Sequence, residues 1–150
     1  MNIIKKKIKM FILLSSYINP MNSNSYNFLL KPSSWMAPLD QGWHKTNWDV
    51  AIDKEKGHVG IGIVVRDWSG KVIAARSITK LGCFEPITGE AIASHYAVYF
   101  SMDLGVHNLI LEGDAIKLVQ VVNSNAPNLS RFGHVVDDIR QVLSSLPKWK

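Results

Sequence analysis

The stretch LILEGDAIKLVQVVNS, Leu109 to Ser124, changes its period halfway along. Its first part is a short apolar run that ends in two acids, Glu112 and Asp114. From Ala115 the apolar positions Leu118, Val121 and Val122 recur at helical spacing. A strand that feeds straight into a helix is the unit from which mixed and parallel sheets are built. It also places a carboxylate at the joint between a buried strand and a helix.

Working outward, the preceding segments read as strands. TNWDVAI (46–52) is followed by the charged turn DKEKGH (53–58). VGIGIVVRD (59–67) alternates Val59, Ile61, Ile63 and Val65 on one face, a strand signature. DWSG (67–70) supplies turn residues, and KVIAARSIT (71–79) returns as a third strand. Short connections between these three predict an antiparallel meander. EPITGEAIASHYAVYFSMDLG (85–105) then reads as a long helix, with Pro86 in its first turn and Gly105 at its stop. Gly89 is a mild defect inside it. NLILEGD (108–114) is the fourth strand, ended by Asp114, and AIKLVQVVNS (115–124) the next helix. VVDDIRQVLSSL (135–146) carries Val135, Val136, Ile139, Val142, Leu143 and Leu146 as a helical stripe. A strand, a crossover helix and another strand favour a parallel pairing. The expected fold is therefore α/β, a mixed sheet of a three-strand meander plus one parallel strand, flanked by helices. Pro147 stops the last helix, Trp149 looks like the start of something further, and the sheet is left with an uncovered edge.

The totals fit one soluble domain: 150 residues, 47% hydrophobic and 19% charged. The formal charge of +5 misleads as a whole-chain figure. Lys5, Lys6, Lys7, Lys9 and Lys31 all precede Asp40, the first acid. The remaining twelve basic residues are matched by all twelve acids, so the folded part is formally neutral. The high isoelectric point belongs to the leader and does not describe a basic nucleic-acid surface. Residues 1–42 read as a disordered leader and linker, and 43–150 as the domain. The leader's MFILL run is cut short by Ser15 and Ser16, too short for a membrane span and without a clean cleavage motif. No membrane contact and no obligate protein partner are expected, and the compartment is unassigned. The single Cys83 excludes an intrachain disulfide, and the five histidines show no metal-ligand spacing.

Three acids stand out by position. Asp49 lies inside an apolar strand, Glu90 in an early turn of the long helix, and Asp114 at the end of the fourth strand. A charge in a buried strand is costly unless paired or bound to a cation. Parallel neighbouring strands lie about 4.8 Å apart, so acids at matching levels can share one cation, with a third delivered by the crossing helix. Hard oxygen ligands with room for water and phosphate suit Mg²⁺. Each acid also has a plainer reading. Asp49 can accept backbone hydrogen bonds, Glu90 can favour the positive end of its helix, and Asp114 can cap the helix that follows. Trp48, pointing to the face opposite Asp49, reads as core, and Trp68 as a surface turn residue.

The run from Trp43 to Leu146 resembles the ribonuclease H-like domain of plant proteins, the type also called reverse-transcriptase-like. The pieces that carry the resemblance are WHKTNWDVAID, GIGIVVRDWSGKVIAARS, ITGEAIASHYAVYFSMDLG, LILEGDAIKLVQVVNS and VVDDIRQVLSSL, in family order and spacing. It implies a five-stranded mixed sheet and hydrolysis of the RNA strand of RNA–DNA hybrids with two Mg²⁺ or Mn²⁺ ions. By this resemblance Asp49 matches the family's first-strand aspartate, Glu90 the glutamate of its first helix, and Asp114 the aspartate closing its fourth strand. These three are the expected catalytic and metal-binding residues, and a nucleic acid hybrid the expected partner.

Three departures bear on activity. Val50 stands where the family usually has glycine, and a β-branched residue there can obstruct close approach of a ligand. The family's last strand and last helix, which carry a fourth carboxylate, are expected to be missing from the C-terminus. Asp137 and Asp138 lie on the preceding helix and read as solvated. The domain also lacks net positive charge. A hybrid nuclease is the leading expectation. Its alternatives are a catalytically silent nucleic-acid-binding or interaction module and a truncated mobile-element fragment.

Overall fold

The computed structural model describes residues 39–82, 84–124, 126–127 and 130–150. The expectations for the leader up to residue 38 and for Cys83 lie outside these. The elements in chain order are β1 (Trp43–Asp53), β2 (His58–Arg66), β3 (Val72–Leu81), α1 (Pro86–Asp103), β4 (Asn108–Glu112), α2 (Ile116–Asn123), α3 (Gly133–Ser145) and β5 (Lys148–Trp149). The strands form one mixed sheet in the order β3-β2-β1-β4-β5. The meander is antiparallel, and β4 lies parallel to β1 as the crossover argument requires. None of the described helices is long and apolar enough to cross a membrane.

The meander's turns follow from their chemistry. Asp67 Oδ1 accepts from the Ser69 N–H, the Ser69 hydroxyl and the Lys71 N–H, and Gly70 takes a positive φ of 86°. These bonds fold the chain back before β3 and hold the Asp67 carboxyl below its ordinary pKa, the Ser69 hydroxyl contributing most.

Strand alternation sends Thr46, Trp48, Val50 and Ile52 of β1, with Val59, Ile61, Ile63 and Val65 of β2, to one face. All three helices pack there. Small residues on α1, including Ala91, Ala93, Ser94, Ala97 and Ser101, let it lie close to the sheet, and buried Thr46 and Ser101 share a 2.7 Å hydrogen bond. Leu118 of α2 and Val136 of α3 close the core around Trp48. Leu109, Leu143, Ile139 and Val65 form its second half. Of the expected α3 stripe, Val136, Ile139 and Leu143 are fully buried and Leu146 is nearly so.

The structure corrects the expected end of the fold. A final strand is present in short form: β5 pairs parallel with β4, Leu109 opposite Trp149. The Lys150 N–H donates to Leu109 O and the Leu111 N–H to Lys150 O, both at 2.9 Å. Pro147 has no N–H to continue α3, and it biases the residue before it toward extended backbone. Leu146 is extended (ψ 142°), so the chain leaves along the open edge of β4. The sheet therefore has five strands. β4 is also shorter than read, stopping at Glu112 before Gly113.

Arg140 joins α3 to the end of α2. Its guanidinium donates to Val121 O (2.5 Å), Val122 O (3.3 Å) and Ser124 Oγ (3.4 Å), and pairs with Asp137 at 3.1 Å. The last carbonyls of a helix have no partner within it. Arg140→Ala is expected to cost about 1.5–3 kcal/mol, the range for hydrogen bonds to a charged group. Arg140→Lys should restore little, because an ammonium cannot span several acceptors as a fork does. Urea midpoints of the two variants check this, and a shift no larger than that of Asp137→Ala would contradict it.

His95 sits where α1 meets α3, its Nε2 3.7 Å from Asp138 Oδ2. Burial lowers its pKa, and Asp138 opposes that shift while His134 and Lys80 add to it. The unfolded chain thus takes up this proton more readily than the folded one. Stability is fully present above about pH 6.5, the unfolded value, and falls as pH drops through the lower folded value. Urea midpoints at pH 7.5 and pH 5 should separate more for the wild type than for His95→Gln. Equal separations would exclude His95 as the cause.

Candidate acidic site at the end of the sheet

The parallel ladder of β1 and β4 runs from Trp43 opposite Asn108 to Asn47 opposite Glu112. Asp49 follows the last pair by two residues on β1, and Asp114 follows it by two residues on the chain leaving β4, past the end of that strand. Asp49 is still within β1, opposite Gly62 of β2, and half-buried. Its Oδ1 accepts the Val50 N–H at 2.9 Å. Asp114 is exposed, in the turn between β4 and α2. Asp114 is therefore not the last residue of the strand, as the sequence reading had it. Nor does its side chain cap α2, whose N-cap is Ala115 without any side-chain cap bond. Asp114 instead offers its backbone carbonyl to the Ile116 N–H at 3.0 Å.

The two acids of the EGD run do different things. Glu112 Oε2 accepts from Asn47 Nδ2 at 3.0 Å and lies 3.3 Å from Lys45 Nζ. The Lys45 side chain is only 9% exposed, so this pair fastens β4 to β1 with its charge matched. The sequence reading gave Glu112 and Lys45 no role. Glu112 stands opposite Asn47, two residues along β1 from Lys45, and this diagonal on adjacent parallel strands was the available signal.

Glu90 enters from the second turn of α1. Its Oε2 accepts the indole N–H of Trp48 at 3.0 Å. Trp48 is 5% exposed, a core residue as expected, yet its polar tip is spent on this carboxylate. The same indole lies against Gly113: a Cβ there would fall 2.1 Å from Trp48 Cζ2. Glu90 and the joint that carries Asp114 therefore meet at one indole. Asp49, next in sequence, is directed by strand alternation to the opposite face. Among the described residues, no three His, Cys, Asp or Glu stand close enough together to hold a metal ion.

Val50 is accounted for differently from the sequence expectation. It faces α1, where a Cβ on Gly89 would lie 3.3 Å from Val50 Cγ1 and from Ile52 Cδ1. Val50 and Gly89 are complementary, so the bulk at position 50 is taken up inside the core, away from the face of Asp49. Asp137 and Asp138 are well exposed, as read.

Asp49, Glu90 and Asp114 offer carboxylate oxygens, the donor type that suits a hard divalent cation. A family model described as reverse transcriptase-like matches residues 47–150. Among solved structures, ribonuclease H1 from the halophilic archaeon Halobacterium salinarum is similar at 20% identity and a TM-score of 0.63, over 71% of this chain and 81% of that one. LC11-RNase H1, isolated from compost by a metagenomic approach, is similar at 16% identity and a TM-score of 0.61, over 73% and 81%. The same enzyme in complex with an RNA/DNA hybrid gives 15% identity and a TM-score of 0.59, over 71% and 80%. Comparison with curated protein sequences finds no match. With more than half its length matched and a mixed five-stranded sheet to go with it, the chain belongs to the reverse transcriptase-like family and has the ribonuclease H fold.

Proposed function

We propose that this protein binds RNA–DNA hybrids and hydrolyses their RNA strand, with Asp49, Glu90 and Asp114 holding Mg²⁺ or Mn²⁺. The observation that best supports the reading is that Asp49 and Asp114 each follow the last β1–β4 pair by two residues, with Glu90 bonded to Trp48, the neighbour of Asp49 in sequence. A bound divalent ion would supply Lewis acidity for water attack on phosphorus and for the departing oxygen. The chain's own part is to present carboxylate oxygens at one end of a rigid sheet and to keep Glu112 out of that set by pairing it with Lys45 and Asn47. The relative seen with an RNA/DNA hybrid supports the substrate class. Recognition of such a duplex depends on its shape and on the 2′-hydroxyls in a shallow minor groove, so net positive charge is not its only source of affinity.

A second reading is a module of the same fold that binds without cleaving. It is favoured by the absence, among the described residues, of three metal-ligating groups gathered together. Labelled RNA–DNA hybrid, double-stranded RNA and double-stranded DNA, each incubated with Mg²⁺ and with Mn²⁺, separate the two. The protein is first shown folded by circular dichroism. Cleavage confined to the RNA of the hybrid is the expected result. A folded protein that binds hybrid and leaves it intact in both metals would replace the nuclease by the module.

A further inference from the structure

Trp48 touches all three elements that carry the candidate acids. Its backbone precedes Asp49 on β1. Its indole N–H donates to Glu90 Oε2 on α1 at 3.0 Å, 42 residues away in sequence. Its ring rests on Gly113, the residue before Asp114, at a distance that admits no side chain there. We infer that Trp48 is a positioning residue for the acidic site: it orients the Glu90 carboxylate and sets the distance of the β4–α2 joint from β1. This rests on the metal-binding reading of Asp49, Glu90 and Asp114.

The physical case has three parts. A Trp in a core needs only apolar neighbours, and Leu118, Val136 and Ala93 supply them in the same cluster. The indole N–H, however, must find an acceptor when buried. Here the acceptor is a carboxylate, which makes the bond charge-assisted and directional. A hydrogen-bonded partner that fixes the orientation of a metal-binding carboxylate typically governs affinity by about ten- to a hundredfold. Second, the ring is rigid and closely packed, so it acts as a fixed spacer. Leu118 and Leu111 line the groove on which it borders, together with Trp149 of β5. Third, the contact depends on glycine at position 113. Gly113→Ala must push the indole aside, because a ring held in the core has no free end to give way.

The test uses the full chain and Mg²⁺ alone. Calorimetric titration measures the affinity of the wild type and of Trp48→Phe, which keeps an aromatic ring and removes the N–H. In parallel, the Trp48 indole ¹H–¹⁵N resonance of the wild type, assigned by triple-resonance methods, is followed through the same titration. The expected result is a loss of about tenfold or more in Mg²⁺ affinity for Trp48→Phe and a saturable shift of the wild-type indole resonance at the concentrations where Mg²⁺ binds. If the wild type binds Mg²⁺ while its indole resonance stays fixed, or if a folded Trp48→Phe binds equally well, the positioning role is overturned and the metal site stands. Absence of Mg²⁺ binding by the folded wild type overturns both. Should Trp48→Phe fail to fold, the indole resonance of the wild type decides alone.

Discussion

Asp49→Asn is expected to lower hybrid cleavage by at least about a hundredfold while leaving the far-ultraviolet circular dichroism and the urea midpoint nearly unchanged. Asparagine has the same shape and keeps an oxygen to accept the Val50 N–H that Asp49 Oδ1 holds at 2.9 Å. It removes the charge. On the metal-binding reading, loss of an anionic ligand would forfeit several kcal/mol of charge stabilisation, and each 1.36 kcal/mol is a decade in rate. Asp49 is half-buried on the central strand, whereas Asp114 is exposed in a turn, so the former is the better-held of these two acids. Glu112→Gln provides the contrast. It disturbs the pairing with Lys45 and Asn47 and is expected to reduce stability more than turnover. Initial rates on labelled hybrid under single-turnover conditions measure both. Equal loss of activity in the two variants, or retained activity in Asp49→Asn, would remove Asp49 from the chemistry.

What could be read from the chain divides along a physical line. The alternation of Val59, Ile61, Ile63 and Val65 and the stripe of Val136, Ile139 and Leu143 are local patterns, and each element they predict is present. The order of those elements then leaves few topologies, which is why the parallel placement of β4 beside β1 was legible. β5 was not. Its two residues carry no periodic signal of their own, and they pair because Pro147 releases the chain beside an open edge. The end of β4 was misjudged for a related reason: the apolar run reads on into EGD, while the backbone leaves the ladder at Gly113, against which Trp48 is packed.

The candidate site was legible only in outline. Position set Asp49, Glu90 and Asp114 apart among the twelve acids, and only the resemblance gave them a shared role. The bond from Trp48 to Glu90 and the pairing of Glu112 with Lys45 join residues far apart in sequence. Such contacts are set by which side chains the register makes neighbours, and that information exists only once β1, β4 and α1 are packed together. Gly89 shows the same effect in reverse. Alone it is a weak point of a helix, and next to Val50 and Ile52 it is the gap that lets α1 close on the sheet.

Leu109, which opens the stretch that decides the fold, is where the largest loss of stability is expected. It is 0% exposed and lies on β4 between His44 of β1 and Trp149 of β5. Its side chain belongs to the cluster formed with Val65, Val98, Ile139, Leu143 and Leu146, so it packs the sheet against both α1 and α3. Leu109→Ala removes that apolar surface and leaves a void between elements that are each held in place elsewhere. Substitutions of this type cost about 3–5 kcal/mol where the surroundings cannot collapse. Against a total of about 5–15 kcal/mol for a domain, that brings the protein close to its unfolding limit at 37 °C. Urea denaturation followed by circular dichroism is the measurement, with Leu81→Ala as the reference. Leu81 is apolar and 79% exposed, so its truncation should stay within about 0.5 kcal/mol of the wild type. A Leu109→Ala midpoint indistinguishable from that of Leu81→Ala would mean that Leu109 does not pack β4 against α1 and α3. The functional consequence has the same origin. β4 delivers the joint that carries Asp114, so a Leu109→Ala protein should lose hybrid cleavage at urea concentrations the wild type tolerates, in step with its lost circular dichroism. Cleavage lost well before the circular dichroism would instead place the sensitivity in the joint at Gly113 rather than in the core beneath it.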